Sequence, residues 1–288
     1  MSLQLFTDSS SNLFEQRLDE RNIKAVSLTL SMNEDEILCY EPGVTFDSDA
    51  FFQRMREDDS LVLKTSMINT ATFLNAFEPV LAAGDDVLYI AMSSGLSGTF
   101  SGGTAAANIL KEKYPQRYVH AVDTRSATIG QGMLVLEAAD LRDAGRSPEE
   151  IAAHIEWRRT EIHQHFMVDD LNFLKRGGRL SGSAAMAGSI MHLKPILKGD
   201  EEGRIVLDKK LFGRKKALST LVDIFLENHT EGEDNRKVGI SHTGSEEDAK
   251  QLASELRKFD PGLEIEIVPF EPCTASHVGP GAVGMFFF

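Results

Sequence analysis

The run Asp86-Val87-Leu88-Tyr89-Ile90-Ala91 is apolar from its second residue onward. A segment of this length and character is typical of a strand buried on both faces of a parallel sheet. It leads directly into Ser93-Ser94-Gly95-Leu96-Ser97-Gly98-Thr99, after which small residues predict a helix to Leu110. A strand, a loop and a helix in this order predict one unit of an open α/β sheet.

The same pattern recurs on both sides of this unit. Strands are predicted over residues 4–6, 25–30 and 119–122, and helices over 46–56, 129–144 and 148–164. Ser147, Pro148 and Glu150 have the spacing of a capping box with proline in the first turn. We therefore predict that residues 1–160 form an N-terminal α/β domain with an open, mostly parallel sheet.

The second half of the chain is predicted to form a C-terminal α/β domain, residues 161–288. Strands are expected over 166–168, 204–209, 237–241 and 264–269, and helices over 186–192, 214–228 and 245–258. His163 and His165 are expected on the surface of the preceding helix. The predicted fold class is thus α/β with two α/β domains.

The composition limits the classes of partner. The chain has 288 residues and a net charge of −14, which repels nucleic acid and anionic membranes. The N-terminus lacks signal-peptide character and no apolar run approaches the roughly 20 residues of a membrane span. We expect a cytoplasmic protein without nucleic-acid binding, stable membrane insertion, metal or cofactor. Cys39 and Cys273 have no metal-ligand spacing and are expected to be free thiols, with a disulfide as the alternative.

Loops rich in glycine and hydroxyl side chains follow the predicted strands. In an open α/β sheet, ligands bind beyond the carboxyl ends of the strands, where the loops starting at Thr7, Ser93 and Asp123 would emerge. Such loops offer hydroxyl and backbone donors to a carboxylate or phosphate. The candidate ligand-binding residues are Thr65, Ser66, Ser93, Ser94, Ser97 and Gly98. The alternative for each hydroxyl is a role in a turn or helix cap.

Two further polar candidates lie in the second half. Arg179 follows Gly177-Gly178 in one of the few positively charged segments, and could pair with a carboxylate or phosphoryl group. His277 precedes Val278-Gly279-Pro280-Gly281, which predicts a rigid turn that places the imidazole. A solvated arginine and a structural histidine are the alternatives.

A set of apolar residues could line an elongated cavity, since methionine adapts to irregular shapes. Its members are Phe166, Phe173, Met186, Ile190 and Met191. A cavity with polar donors at one end and apolar walls would suit a long-chain acid. The alternative for most of these residues is an ordinary core helix.

Nucleotide-binding and hydrolase motifs fail on inspection. The glycines of the Ser93–Thr99 run have neither dinucleotide-fingerprint spacing nor the lysine of a P-loop. Ser97, Asp123 or Asp169, and His277 occur in the chain order of an α/β-hydrolase. Thr99 stands where the nucleophile elbow requires glycine, which disfavours that alternative.

Together these segments resemble the DegV family, fatty-acid-binding proteins that present acyl chains to bacterial fatty acid kinase. The resemblance covers essentially the whole chain. It rests on Thr7-Asp8-Ser9, Thr65-Ser66, the run from Ser93 to Phe100, Asp123-Thr124-Arg125-Ser126, the run from Leu174 to Ser181, Lys194-Pro195-Ile196-Leu197, and the run from His277 to Ala282. One departure is Met67-Ile68, where the family usually has Gln-Pro after Thr-Ser.

The resemblance implies a long-chain fatty acid buried between the two domains. Its carboxylate would be held by the Thr65 and Ser93–Ser97 segments, with Arg179 and His277 setting the charge environment for phosphoryl transfer. The chain itself would not be an enzyme. A separate ATP-dependent kinase subunit would phosphorylate the carboxylate, and the acyl phosphate would feed phospholipid synthesis. Two alternatives stay open: a small-molecule phosphotransferase or phosphate-binding enzyme using the same loops, and a regulatory or scaffolding protein.

Overall fold

The computed structural model describes residues 2–58, 60–182, 193–230, 232 and 235–288. The chain divides into two compact units: unit 1 is Met1–Phe46 with Thr65–Thr160, and unit 2 is Asp47–Lys64 with Glu161–Phe288. The segment 47–64 therefore groups with the second half of the chain, whereas the sequence-based division placed it in the first. Three of the five predicted apolar-cavity residues, Met186, Ile190 and Met191, lie outside the described residues.

The elements that precede residue 161 are a mixture of strands and helices. They are β1 (Leu3–Asp8), α1 (Glu15–Glu20), β2 (Ile23–Val26), β3 (Thr29–Met32), β4 (Asp35–Leu38), α2 (Ser48–Glu57), β5 (Leu63–Ser66), α3 (Thr70–Ala82), β6 (Asp86–Ala91), α4 (Thr99–Lys113), β7 (Val119–Asp123), α5 (Thr128–Asp143) and α6 (Pro148–Arg158). A short 3₁₀ turn, Ser9–Ser11, follows β1. The predicted capping box at Ser147 is present: Ser147 Oγ accepts from Glu150 N–H, and the Glu150 carboxylate accepts from Ser147 N–H.

The main sheet of unit 1 has the strand order β2-β1-β6-β7, and its neighbouring strands are parallel. Strand β6 is buried from Val87 to Ala91, as its apolar sequence predicts. Tyr89 of β6 forms an aromatic cluster with Phe73 and Phe77 of α3, and the Phe73 and Tyr89 ring centroids are 4.8 Å apart. A second, smaller sheet has the order β4-β3-β5. The mixed α/β class predicted from the sequence is confirmed.

The elements after residue 160 complete unit 2. They are β8 (His163–Met167), α7 (Asn172–Arg176), β9 (Ile196–Gly199), β10 (Ile205–Lys209), α8 (Arg214–Asn228), β11 (Lys237–His242), α9 (Glu246–Phe259), β12 (Glu264–Pro269), α10 (Pro272–Val278) and β13 (Val283–Phe287). They form a sheet of order β10-β9-β8-β13-β11-β12 in which β11 and β12 are parallel and the other neighbours antiparallel. Helices α8 and α9 cover it with a core that includes Leu221, Phe225 and Leu252.

The structure corrects the expectation for residues 159–168. The helix predicted to residue 164 ends at Arg158, and His163 and His165 lie on strand β8 rather than on a helix surface. Strand β8 pairs with β13 on one side and β9 on the other. The C-terminal tail thus supplies the partner strand that fixes this segment as extended, and a partner 120 residues away in sequence leaves no local signal.

One local expectation also changes: Thr65 and Ser66 end strand β5 instead of following it in a loop. His277 lies in the last turn of α10, and a turn follows it at Gly279–Gly281 as predicted. The hairpin β3–β4, helix α3 and strand β13 are further elements that the sequence reading missed. Within the described residues, no helix has both the length and the apolar character needed to cross a bilayer.

Candidate ligand-binding site

The first hydroxyl-rich loop is a buried structural network rather than an open binding loop. The fully buried Asp8 carboxylate accepts hydrogen bonds from Tyr89 Oη at 2.6 Å, Met92 N–H at 3.0 Å, and the backbone and hydroxyl of Ser10 at 3.2 and 2.5 Å. Burial and the Asp8 charge raise the pKa of the Tyr89 phenol well above its ordinary value, so this phenol stays a donor. The network fixes Met92, directly before the Ser93 loop.

The loop from Ser93 to Gly98 joins β6 to α4 at the carboxyl edge of the unit 1 sheet. Ser93 is buried, its N–H donates to the Ser126 carbonyl at 2.7 Å, and its hydroxyl accepts from Gly95 N–H at 3.1 Å. Gly98 is exposed and is the N-cap residue of the 15-residue helix α4. A helix start of this kind carries partial positive charge and favours anions.

The hydroxyl proton of Ser94 is already committed. Ser94 Oγ donates to Asp123 Oδ2 at 2.6 Å, and Ser94 N–H donates to Asp123 Oδ1 at 3.1 Å. Arg125 N–H donates to the same carboxylate at 2.9 Å. Because a hydroxyl has one proton, Ser94 serves to bind Asp123, and a ligand carboxylate would have to compete for that proton.

Ser97 has a different environment, set by Thr99. The two hydroxyl oxygens are 2.9 Å apart, Thr99 N–H donates to Ser97 Oγ at 3.2 Å, and Ile68 N–H donates to Thr99 Oγ1 at 3.3 Å. Thr99 is fully buried whereas Ser97 is half-buried. Each oxygen thus accepts one N–H bond, and either hydroxyl can donate across the pair. When Thr99 donates, the proton of the half-buried Ser97 is available to a ligand.

Thr65 and Ser66 end strand β5, half-buried and exposed respectively. The next residue, Met67, extends to the Ser93–Gly98 loop: a Cβ atom built on Gly98 would lie 2.5 Å from Met67 Sδ. The sequence interpretation noted Met67 as a departure from the family pattern and did not place it at Gly98. Thr99, whose hydroxyl pairs with that of Ser97, was not among the predicted site residues.

In unit 2, His277 packs directly on the glycine pair before Arg179. A Cβ atom on Gly177 would lie 2.2 Å from His277 Nδ1, so only glycine leaves room for the ring. Burial, and secondarily the charge of Arg179, lowers the pKa of His277 to about 4. The imidazole is therefore neutral near pH 7. Arg179 is half-buried, and its guanidinium donates to the Gly177 carbonyl.

The turn after His277 is tightly packed by Phe173 and Asp169. A Cβ atom on Gly279 would lie 2.5 Å from the Phe173 ring, and one on Gly281 would lie 2.2 Å from the Asp169 carboxylate. Both glycines have positive φ, 75° and 87°. Arg214 donates to Asp169 Oδ1 and to the Gly281 carbonyl, each at 2.8 Å, and thereby holds this turn against α8.

A cavity of about 690 Å³ opens on unit 2. Its walls are Met55, Arg56, Asp58, Leu61, Leu63, Asp169, Asp170, Asn172, Phe173, Arg176 and Pro280. Of the predicted acyl-chain residues, Phe173 lines this cavity, and the Arg176 guanidinium stacks 4.7 Å from its ring centroid. Phe166 is buried on β8 and belongs to the core beside Gly284. The walls are mixed in polarity, unlike the apolar lining that the sequence interpretation anticipated.

The family model for DegV, described as an uncharacterised protein family, matches residues 2–288. The chain belongs to the DegV family. A DegV domain-containing protein of Clostridium perfringens is 34% identical over 287 residues, which cover 98% of this chain and 96% of the relative. The resemblance seen in the sequence motifs is thereby confirmed.

Solved DegV structures share the whole fold. The crystal structure of DegV, a fatty acid binding protein from Bacillus subtilis, is 29% identical, covers 100% of this chain and 99% of that chain, and has a TM-score of 0.86. The fatty acid kinase (Fak) B3 protein of Streptococcus pneumoniae, loaded with linoleic acid, has a TM-score of 0.85 at 22% identity, with 100% and 99% of the two chains covered. At that identity the second likeness shows the fold alone.

Within this DegV chain, the structure brings Ser93, Ser94, Ser97 and Gly98 together in one loop of unit 1. It also places Arg179 beside His277 in unit 2. The Ser93–Gly98 loop is contacted by Asp123, Thr99 and Met67. None of these three was among the predicted ligand-binding residues.

Proposed function

We propose that this chain binds a long-chain fatty acid and that Ser97 and Gly98 make the principal contacts to its carboxylate. The observation that carries the proposal is the half-buried Ser97 hydroxyl, which lies beside the start of α4 and can receive the Thr99 hydroxyl proton so that its own is left for a ligand. A neutral hydroxyl and a helix start together suit a group with one negative charge. Fatty acid binding by the B. subtilis relative supports the same ligand class.

The other predicted head-group residues have supporting roles in this proposal. Thr65 and Ser66 donate from the end of β5, and Ser93 holds the loop closed through Ser126. Ser94 contributes indirectly, since it binds the Asp123 carboxylate. With donors from Ser94 and Arg125, the Asp123 charge is partly satisfied and repels a ligand carboxylate less.

His277 and Arg179 are proposed to set the charge environment of the carboxylate. A neutral imidazole can donate or accept one hydrogen bond at the carboxylate without adding charge. Arg179, with Lys175 and Arg176, belongs to one of the few positively charged segments of a chain whose net charge is −14. Phe173 and Phe166 are proposed acyl-chain contacts. Burying a 16-carbon chain could contribute roughly 10 kcal/mol before entropy losses.

We further propose that the chain is an accessory protein rather than an enzyme. In this scheme a separate ATP-dependent kinase subunit phosphorylates the bound carboxylate, and the acyl phosphate enters phospholipid synthesis in the cytoplasm. The motif resemblance to the kinase-associated members of the family supports this assignment. The chain is proposed to need no cofactor of its own.

Native mass spectrometry of the purified protein, followed by denaturing lipid extraction, tests the ligand class. A stoichiometric fatty acid is expected, and palmitate or oleate should bind to delipidated protein. The variant Ser97→Ala should weaken binding about tenfold, the value of one charge-assisted hydrogen bond. Ser101→Ala, an exposed position on α4, is the matched control and should bind normally.

Three results would contradict the proposal in whole or in part. A clean apo mass that takes up neither acid would reject fatty acid binding. Phosphate transfer from ATP to a small molecule by this chain alone would instead favour the phosphotransferase alternative. Equal affinities of Ser97→Ala and the wild type would reject the assignment of the head-group contact while leaving the ligand class intact.

A further inference from the structure

The thioether of Met67 is held against the loop that carries Ser97 and Gly98. A Cβ atom on Gly98 would lie 2.5 Å from Met67 Sδ and 3.8 Å from Cε, so the sulfur touches the glycine backbone itself. The following residue, Ile68, is buried and its N–H donates to Thr99 Oγ1 at 3.3 Å. The backbone beside Met67 is thus bonded to the hydroxyl pair of Ser97 and Thr99.

Met67 is also the methionine most accessible to solvent among the described residues. Its exposed fraction is 56%. Met32 is half-buried, and the remaining described methionines are buried, namely Met55, Met92, Met133, Met167 and Met285. Among the methionines that the structure describes, Met67 is therefore the one that an oxidant in solution reaches most readily.

We propose that Met67 is a site of reversible oxidation that controls the ligand affinity of the Ser97–Gly98 loop, an inference that rests on the fatty acid function proposed above. The oxidant is a peroxide. Its O–O bond breaks, one oxygen forms an S–O bond with Met67 Sδ, and the other leaves as water or an alcohol. The sulfur loses two electrons and the peroxide gains them, which gives methionine sulfoxide.

The position of the sulfur explains why the product would matter. Sulfoxide formation converts an apolar, flexible side chain into a polar one with a strong acceptor oxygen. With the sulfur already against Gly98, the added oxygen cannot lie on that face without displacing the side chain. The oxygen therefore either lies on the opposite face of the sulfur or displaces the side chain. In both arrangements we expect an acceptor near the Ser97 hydroxyl and the start of α4, where it competes with the fatty acid carboxylate for donors. Oxidation is expected to weaken fatty acid binding about tenfold.

The test compares each protein with itself before and after limited hydrogen peroxide treatment. Peptide mapping by mass spectrometry measures sulfoxide at every methionine, and oleate affinity is measured on the same samples. The wild type should carry sulfoxide first at Met67 and lose about tenfold in affinity. The Met67→Leu variant should keep its own affinity after treatment, whereas the control Met32→Leu should remain sensitive. Methionine sulfoxide reductases should restore wild-type affinity.

Three results would overturn the proposal: sulfoxide at Met67 with unchanged oleate affinity, an equal loss in Met67→Leu, or resistance of Met67 to oxidation when other methionines react. Failure of the underlying function is recognised separately, because untreated wild type would then bind no oleate. That result would reject both proposals. If untreated wild type binds oleate normally, any change after peroxide treatment tests the role of Met67 oxidation alone.

Discussion

The contact between Gly177 and His277 predicts the outcome of one substitution in detail. In Gly177→Ala, the new methyl group would lie 2.2 Å from His277 Nδ1 and 2.9 Å from Cε1. The backbone at Gly177, with φ −72° and ψ −11°, accepts alanine without strain. Replacing glycine by alanine should therefore raise the free energy of unfolding by about 0.4–1 kcal/mol, because the unfolded chain has less conformational entropy. Overpacking against a buried ring costs about 1–3 kcal/mol, so we expect a net destabilisation of about 1–2 kcal/mol.

Urea unfolding of four proteins measures this effect as a double-mutant cycle: wild type, Gly177→Ala, His277→Ala and the double variant. Removing the imidazole makes room for the methyl group, so Gly177→Ala should be neutral or stabilising in the His277→Ala background. The expected coupling energy is about 1–3 kcal/mol. Gly178→Ala is the matched control, because its φ of +69° causes strain while no atom lies within 4 Å of the added carbon.

Gly178→Ala should lower the free energy of unfolding by about 1 kcal/mol, because alanine is strained in the left-handed conformation. The loss should be the same whether position 277 is His or Ala. A coupling energy near zero between positions 177 and 277 would refute the packing argument. So would a Gly177→Ala variant as stable as the wild type whose His277 ring resonances are unchanged in an NMR titration.

Three further predictions concern buried polar groups. Asp8→Asn should lower the free energy of unfolding by about 2–4 kcal/mol, because its amide nitrogen cannot accept the bonds of one carboxylate oxygen; exposed Asp35→Asn should leave the urea midpoint unchanged. Arg214→Met should lower the free energy of unfolding by about 1–3 kcal/mol, because the charged hydrogen bonds to Asp169 and Gly281 are lost. Arg214→Lys should lose less. An unchanged urea midpoint in Arg214→Met would contradict the anchoring role. Burial lowers the pKa of both His165 and His277 to about 4, so below pH 6.5 the unfolded chain binds more protons than the folded one and stability should fall from pH 6.5 towards 4. His277→Gln should flatten that decline in urea midpoints measured across this range, and an unchanged slope would contradict the shift.

Local patterns in the sequence determined much of the fold. The apolar run at β6, the capping box at Ser147 and the amphipathic helix α9 act within a few residues, and the structure has each of them. The centre of the unit 2 sheet was harder to predict. Strand β8 begins with His163-Gln164-His165 and is defined by pairing with the chain terminus, β13, which local composition does not reveal.

The candidate site divides in the same way. The Ser93–Gly98 loop could be predicted because a strand, a polar loop and a helix start adjoin in the sequence. The partner of each hydroxyl could not: Ser94 bonds to Asp123, 29 residues away, and Met67 reaches Gly98 from the segment that follows β5. Ser94 and Ser97 were equally good candidates in the sequence. They differ in the structure because the Ser94 hydroxyl bonds to Asp123 and the Ser97 hydroxyl pairs with Thr99.

The character of these donors bears on which anion fits the loop. A phosphate dianion is usually met by several positive charges, whereas the Ser97 side of this loop offers a hydroxyl proton and the start of α4. The neighbouring Asp123 carboxylate already draws on Ser94 and Arg125, and its charge opposes a second negative charge nearby more strongly as that charge grows. A carboxylate carries one charge and needs fewer donors. The local electrostatics therefore favour a carboxylate over a phosphate ester at this loop, as the proposed fatty acid ligand requires. In the proposed scheme, the positive charge for phosphoryl transfer would come from Arg179 or from the kinase subunit.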